Sequence, residues 1–81
     1  MKDREKAYCK CVGRALRNIR KERSGKSGLM FAYENDIPKS TLWRIENGEN
    51  EAQLVTLKKI AEGFGLTLSE LFECIEEKLP E

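Results

Sequence analysis

The sequence contains no histidine, and its three cysteines are an odd number. Without histidine, the chain lacks the most frequent general base and a common zinc ligand. Zinc takes four nitrogen or sulfur ligands, so Cys9, Cys11 and Cys74 cannot complete a site within one chain. We therefore expect no enzyme, no resident metal and no cofactor, with the cysteines as reduced thiols on helices. A zinc site shared across a dimer and a redox switch are the alternatives.

Long apolar runs are also missing. None approaches the roughly 20 residues of a membrane-spanning helix, and the charged beginning MKDREKAYCK lacks the apolar stretch of a signal peptide. A chain of 81 residues makes one small domain that hides only about 60 to 65 % of its unfolded surface, which leaves little room for an enclosed active site. We expect a single cytoplasmic domain over residues 1–81, without a membrane partner.

The net charge of +1 conceals a strong asymmetry along the chain. Residues 1–27 carry ten Lys or Arg against three Asp or Glu, whereas residues 49–81 carry three against eight. The basic part favours an anionic partner, most often nucleic acid. A solvated helix face has the same composition, so charge alone leaves both interpretations open.

Apolar residues at three- and four-residue steps predict helices and no strand. The first stripe comprises Tyr8, Val12, Ala15, Leu16 and Ile19. Ser27 is a suitable N-cap for a short second helix over residues 28–35. The third helix, with a proline in its first turn, ends near residue 46, because Gly48 can take the left-handed conformation that terminates a helix.

Two further helices complete the expected fold. Asn50 is a candidate N-cap for a fourth helix, and the T-x-x-E pattern of Thr67 and Glu70 predicts a capping box at the start of a fifth. The inner face of the fourth helix would carry Leu54, Leu57, Ile60, Ala61 and Phe64. The pattern predicts a compact all-α domain with its core over residues 8–75.

The stretch IPKSTLWRIENGEN holds the only tryptophan of the chain. As a helix it displays five side chains within an arc of about 140°: Lys39, Ser40, Trp43, Arg44 and Asn47. Leu42 and Ile45 point the other way. In a helix-turn-helix the second helix enters the DNA major groove, so residues 28–47 are the candidate helix-turn-helix.

Several segments, in order, resemble the phage repressor and Cro-type (XRE) helix-turn-helix proteins over residues 12–72. VGRALRNIR is similar to the first helix of that family, FA at 31–32 to its Leu-Ala, IPKSTLWRIENG to its recognition helix, and LVTLKKIAEGFGLTLSELF to its last two helices. The resemblance implies a lambda-repressor-like domain and a transcriptional regulator, most simply a repressor, that binds a palindromic operator. An antitoxin-like regulator with a protein partner and a protein-interaction module are the alternatives.

The resemblance also assigns roles to residues. Lys39, Ser40 and Arg44 occupy positions where the family reads base edges, and Trp43 is placed to meet sugar or a thymine methyl, or else a dimer or ligand contact. The candidates for phosphate contacts are Thr41, Asn47, Asn50, Arg14 and Lys21.

The chain departs from the family pattern at three positions. Gly28 stands where the family usually has a Gln that binds a DNA phosphate. Asn35 and Asp36 replace the usual small apolar residue and glycine of the turn. Because Asp and Asn tolerate the left-handed conformation better than most residues, we expect the turn to form.

An ion pair is expected between Arg20 and Glu46. Arg20 follows the last apolar residue of the first helix, and Glu46 lies on the edge of the third helix nearest the core. The family resemblance indicates the same pair.

A two-fold homodimer is expected through the fifth helix. Leu68, Leu71 and Phe72 would close the domain, while Ile75 and Leu79 would lie beyond it as an exposed apolar strip with a charged margin. Phe72, Ile75 and Leu79 are the candidate dimer interface. Such a dimer would set two recognition helices one DNA turn apart, about 34 Å.

Overall fold

Five α-helices form the fold in the computed structural model, which describes residues 1–80. The helices are α1 (Asp3–Arg23), α2 (Gly28–Glu34), α3 (Lys39–Glu46), α4 (Leu54–Gly63) and α5 (Leu68–Lys78). This part of the chain contains no strand, and none of its helices has the length and apolarity to cross a membrane. The expected all-α architecture of five helices is confirmed.

The capping residues fix where the helices begin. The Ser27 hydroxyl accepts the Met30 N–H at 3.2 Å. At α5 the Thr67 hydroxyl accepts the Glu70 N–H at 3.1 Å, and the Glu70 carboxylate accepts the Thr67 N–H at 2.8 Å. These two expected caps are confirmed, and each satisfies N–H groups that the first helical turn leaves without a partner.

The prediction that Asn50 caps α4 is wrong. The N-cap is Gln53, in an extended conformation (φ −72°, ψ 153°), and the helix begins at Leu54. Ala52, in the loop before Leu54, packs against the core. The local preference of Asn for an N-cap is about 1 kcal/mol, which is small enough for tertiary packing to override.

The core lies where all five helices meet. Its largest fully buried side chains are Leu16, Ile19, Phe31, Ile60 and Leu71, and the rings of Phe31 and Phe64 pack with centroids 5.0 Å apart. Tyr8 and Leu54, which were expected inside, are exposed at 59 % and 69 %. Both lie near the beginning of their helices, beyond the end of the core, because a periodic stripe indicates the inner face without showing how far the core reaches along it.

The expected division of α5 is reversed in part. Ile75 is buried at 4 % exposure, whereas Phe72, which was expected to close the domain, is 44 % exposed. Leu79 is the C-cap residue and packs, partly buried, against the core. The reason is that α5 contacts α1 as well as α4, so the core extends further along α5 than so small a domain suggested.

Candidate nucleic-acid interface

The turn between α2 and α3 forms despite its unusual residues. Asp36 takes the left-handed conformation with φ 56°, and the Lys59 ammonium donates to its carbonyl at 2.9 Å. The Asn35 side-chain amide donates to the Phe31 carbonyl at 2.8 Å, and buried Ile37 donates its N–H to the Ala32 carbonyl at 2.9 Å. The chain therefore has the helix-turn-helix that the sequence predicts.

Helix α3 is two-sided, as its periodicity predicts. Leu42 and Ile45 are 3 % and 4 % exposed, and they hold the helix on the core. The opposite face displays four exposed side chains: Lys39, Ser40, Trp43 and Arg44. Trp43 keeps 57 % of its surface exposed. A helix that presents two cations and an aromatic ring to solvent from a rigid base is suited to contact a polyanion.

The ion pair expected between Arg20 and Glu46 is present and nearly enclosed. Arg20 Nε and Nη2 donate to the two carboxylate oxygens of Glu46 at 2.8 and 2.9 Å, and Nη1 donates to the Lys26 carbonyl at 2.7 Å. The two side chains are 7 % and 8 % exposed. Hydrogen bonding to Glu46 raises the pKa of Arg20, although burial opposes this shift. The pair links α1, the following loop and the end of α3.

Two glycines allow α1 and α3 to approach closely. A Cβ on Gly13 would lie 2.3 Å from the Ile45 carbonyl oxygen, and one on Gly48 would lie 2.6 Å from Lys10 Cα. Gly48 also has φ +71°. The sequence predicted the conformation of Gly48 but not the contact of Gly13. A glycine inside a long helix is less stable than alanine by roughly 0.5–1 kcal/mol. Its presence in the middle of α1 could therefore have indicated that another part of the backbone approaches closely there.

A groove of about 950 Å³ lies beside the exposed face of α3. Its lining brings together five of the predicted contact residues with Arg17 and Leu29, which the sequence analysis did not single out. Leu29 is 64 % exposed. Gly28 also lines the groove, and its missing Cβ would lie 3.7 Å from Arg20 Nη2. A Cβ at this position would be in ordinary van der Waals contact with the Arg20 guanidinium, and glycine provides no side chain to bind a phosphate there.

The other predicted phosphate contacts fall in three places. Thr41 and Asn50 share a smaller cleft with Arg44. Asn47 lines the main groove while its amide nitrogen donates to the Trp43 carbonyl at 2.8 Å. Arg14 and Lys21 are exposed on α1 and line neither cleft.

The three cysteines are free and partly buried, on α1 and α5. Burial raises the pKa of Cys9, and the carboxylates of Glu51 and Glu5 raise it further. A raised pKa keeps the thiol protonated and weakly nucleophilic, which disfavours a redox switch at Cys9. Across residues 1–80, no cluster of three or more metal-ligating side chains could hold a metal ion.

Comparison with known proteins agrees with this geometry. The helix-turn-helix family model matches residues 16–71. Over 66 residues the chain is 42 % identical to the control protein C.MunI of a Mycoplasma species, covering 82 % of this chain and 89 % of that protein. The crystal structure of the clp gene regulator ClgR from C. glutamicum has the same fold, with a TM-score of 0.74, 18 % identity, and coverage of 89 % of this chain and 91 % of that one. The chain therefore belongs to the helix-turn-helix family of DNA-binding transcriptional regulators, of the phage repressor and Cro (XRE) type that its sequence resembles.

Proposed function

We propose that this regulator binds a palindromic operator as a homodimer, with α3 in the major groove, and acts as a repressor by excluding polymerase. One observation carries the proposal: Lys39, Ser40 and Arg44 are exposed on one face of a helix whose other face is buried and braced. A recognition helix must be held firmly in place, because hydrogen bonds to base edges tolerate little displacement. The name "control protein" of the Mycoplasma relative agrees with a regulatory role.

The exposed side chains of α3 divide the reading of the bases. Arg44 and Lys39 are suited to the N7 and O6 acceptors of guanine, whereas Ser40 can pair with several bases. Trp43 and Leu29 are both exposed in the same groove, and their apolar surfaces fit deoxyribose or a thymine methyl. The main sequence discrimination therefore comes from Arg44 and Lys39.

Polar residues around α3 set its position on the duplex. Thr41 and Asn50 line the smaller cleft together with Arg44. Asn47 lies at the end of α3, and α1 carries Arg14 and Lys21. Each offers a donor to phosphate oxygens. Contacts of this kind fix register and orientation, and they carry no sequence information.

The homodimer uses an interface revised from the sequence prediction. Ile75 is buried in the core and is not available to a partner. Helices α4 and α5 pack against each other, and they expose Leu54, Val55 and Phe72. Association of two copies through these side chains would bury apolar surface and remove it from water. The acidic α5 then faces away from DNA, and the basic α1 lies nearer to it.

Selection of duplexes from a random pool tests the proposal. A sequence reader that acts on chromosomal DNA in the cytoplasm should enrich one short palindrome, with a centre-to-centre half-site spacing of about 10 base pairs. Because Trp43 is the only tryptophan and lies on α3, its emission should change on binding the enriched duplex more than on binding a scrambled one. Flat enrichment would instead favour a protein-interaction module on the same fold.

A further inference from the structure

A stripe of basic side chains runs along α1 beyond the two residues assigned to phosphate contacts. At about 100° per residue its members fall within an arc of about 80°. They are Lys6, Lys10, Arg14, Arg17 and Lys21, all exposed. None of the five forms an ion pair with a carboxylate of residues 1–80, so their charges are available to a partner.

The contacts between α1 and α3 locate this basic stripe. Gly13, which touches the carbonyls at the end of α3, lies about 60° from Lys10 around the axis of α1, and Arg20 lies about 80° away on the same side. The basic stripe is therefore adjacent to α3, on the outer side of α1. Arg17 also lines the groove that contains Lys39 and Trp43. A duplex held by α3 would pass close to this side of α1.

The N-terminal half of the basic stripe is an addition to the matched domain. Lys6, Lys10 and Arg14 precede residue 16, where the family match begins, yet α1 is continuous from Asp3. Between Lys6 and Lys21 the helix rises about 22 Å. One DNA strand presents a phosphate about every 3.4 Å along the duplex axis, so a basic stripe of this length could face about six phosphates.

We propose that the basic stripe of α1 binds the phosphate backbone beside the base pairs that α3 reads, with Lys6 and Lys10 as contacts outside the matched helix-turn-helix domain. The inference rests on the proposed function, since it requires DNA on the exposed side of α3. The five unpaired cations suit a polyanion of regular spacing. Contacts of this kind release condensed counterions and strengthen binding to every sequence alike.

Salt titration of three variants tests the proposal: Lys6→Gln, Lys10→Gln and the double variant. Glutamine has a helix propensity close to that of lysine and keeps the first two side-chain methylenes while it removes the charge. The control is Arg4→Gln, which removes one equal charge from the same end of α1 at a position about 120° from Lys10. Affinity for the enriched operator and for a random duplex is measured by fluorescence anisotropy over a range of potassium chloride concentrations.

Because the proposed dimer carries each substitution twice, each stripe substitution should reduce the slope of log K against log salt by about 1.8 and the double variant by about 3.6, on both duplexes. Arg4→Gln should keep the wild-type slope. A double variant with the wild-type slope overturns the proposal, and so does an equal change in Arg4→Gln, because net charge alone would then explain the effect. The proposed function fails separately, if the wild type shows no sequence preference while its slope still depends on Lys6 and Lys10.

Discussion

Arg20 binds both carboxylate oxygens of Glu46 across 26 positions of sequence, at 2.8 and 2.9 Å, in a nearly enclosed site. The same guanidinium donates to the Lys26 carbonyl. One side chain therefore links the last turn of α3 to α1 and to the loop after α1. Bidentate pairing is specific in direction as well as in distance, so it fixes the rotation of α3 about its own axis.

Removal of one partner of this pair should destabilise the fold strongly. Glu46→Leu leaves a buried guanidinium without its carboxylate, and a loss of this kind costs about 3–5 kcal/mol. The double variant Arg20→Met with Glu46→Leu should be more stable than the sum of the single effects predicts, because neither charge remains buried alone. Urea unfolding gives the free energy of unfolding of Glu46→Leu, of Arg20→Met and of the double variant. Additive losses would show that the two side chains do not stabilise each other.

The exposed pair of Glu22 and Lys78 is the matched control. Its atoms approach to 3.0 Å, but the side chains are 60 % and 30 % exposed. Solvent screening limits such pairs to about 0–1 kcal/mol. Glu22→Gln should therefore change the urea midpoint far less than Glu46→Leu.

Alanine at Gly48 should cost more than alanine at Gly25. Both glycines have positive φ, +71° and +66°, so both substitutions strain the backbone by about 1–2 kcal/mol. At Gly48 the new methyl group would also meet the Lys10 backbone at 2.6 Å, whereas at Gly25 no atom lies within 4 Å. The loss in free energy of unfolding caused by Gly48→Ala minus the loss caused by Gly25→Ala measures the close contact between α1 and the end of α3. Equal losses would mean that the helices can move apart freely.

The capping box of α5 should make stability sensitive to acid. Hydrogen bonds from the Thr67 N–H and hydroxyl lower the pKa of Glu70 in the folded chain. Because the folded pKa is lowered, the ionised Glu70 stabilises the folded chain at pH values above the ordinary glutamate pKa of about 4.3. This stabilisation is lost as the pH falls through the folded pKa. Glu70→Gln should lower the thermal midpoint at pH 7 and have less effect at pH 3. An effect that does not depend on pH would contradict the role of the carboxylate.

Phe72→Glu should shift the protein from dimer to monomer. The substitution puts a charge where an apolar ring is expected to meet its partner, and Phe72 is already 44 % exposed, so the fold should survive. Tyr33→Glu is the control, because Tyr33 is 83 % exposed on α2, a helix that the proposed interface does not include. Sedimentation at tens of micromolar distinguishes the two states. A wild type that stays monomeric, with and without operator DNA, would contradict the homodimer.

Apart from the Asn50 cap, the sequence predicted the elements whose signals are local. Ser27, Thr67 and Glu70 form the caps that their spacing predicts, and Asp36 takes the left-handed turn. The exposed face of α3 also follows from periodicity. Leu42 and Ile45 lie on one side of the helix, which is buried, so the opposite side is left exposed. Each of these features depends on residues within a few positions of one another.

The Arg20–Glu46 pair apart, features that depend on how helices meet were not predicted correctly. Ile75 was expected on the surface because the sequence does not show how far along α5 the contact with α1 extends. Leu29 became part of the candidate site only through the groove beside α3, since an exposed leucine on a short helix has no periodic signature. Gly13 likewise has its meaning only from the carbonyls of α3. Tertiary contacts, rather than local propensity, decide these positions.

The central claim is that α3 reads bases through Arg44, and the ratio of affinities for the enriched operator and a random duplex tests it most directly. At fixed salt, Arg44→Ala should lose about 1–3 kcal/mol of this discrimination for each half-site and relax the preference at one base pair of each half-site. Arg14→Ala, which removes a proposed phosphate contact, should weaken binding to both duplexes by the same factor. Equal losses on operator and random DNA for Arg44→Ala would contradict the assignment of α3 as the reading helix.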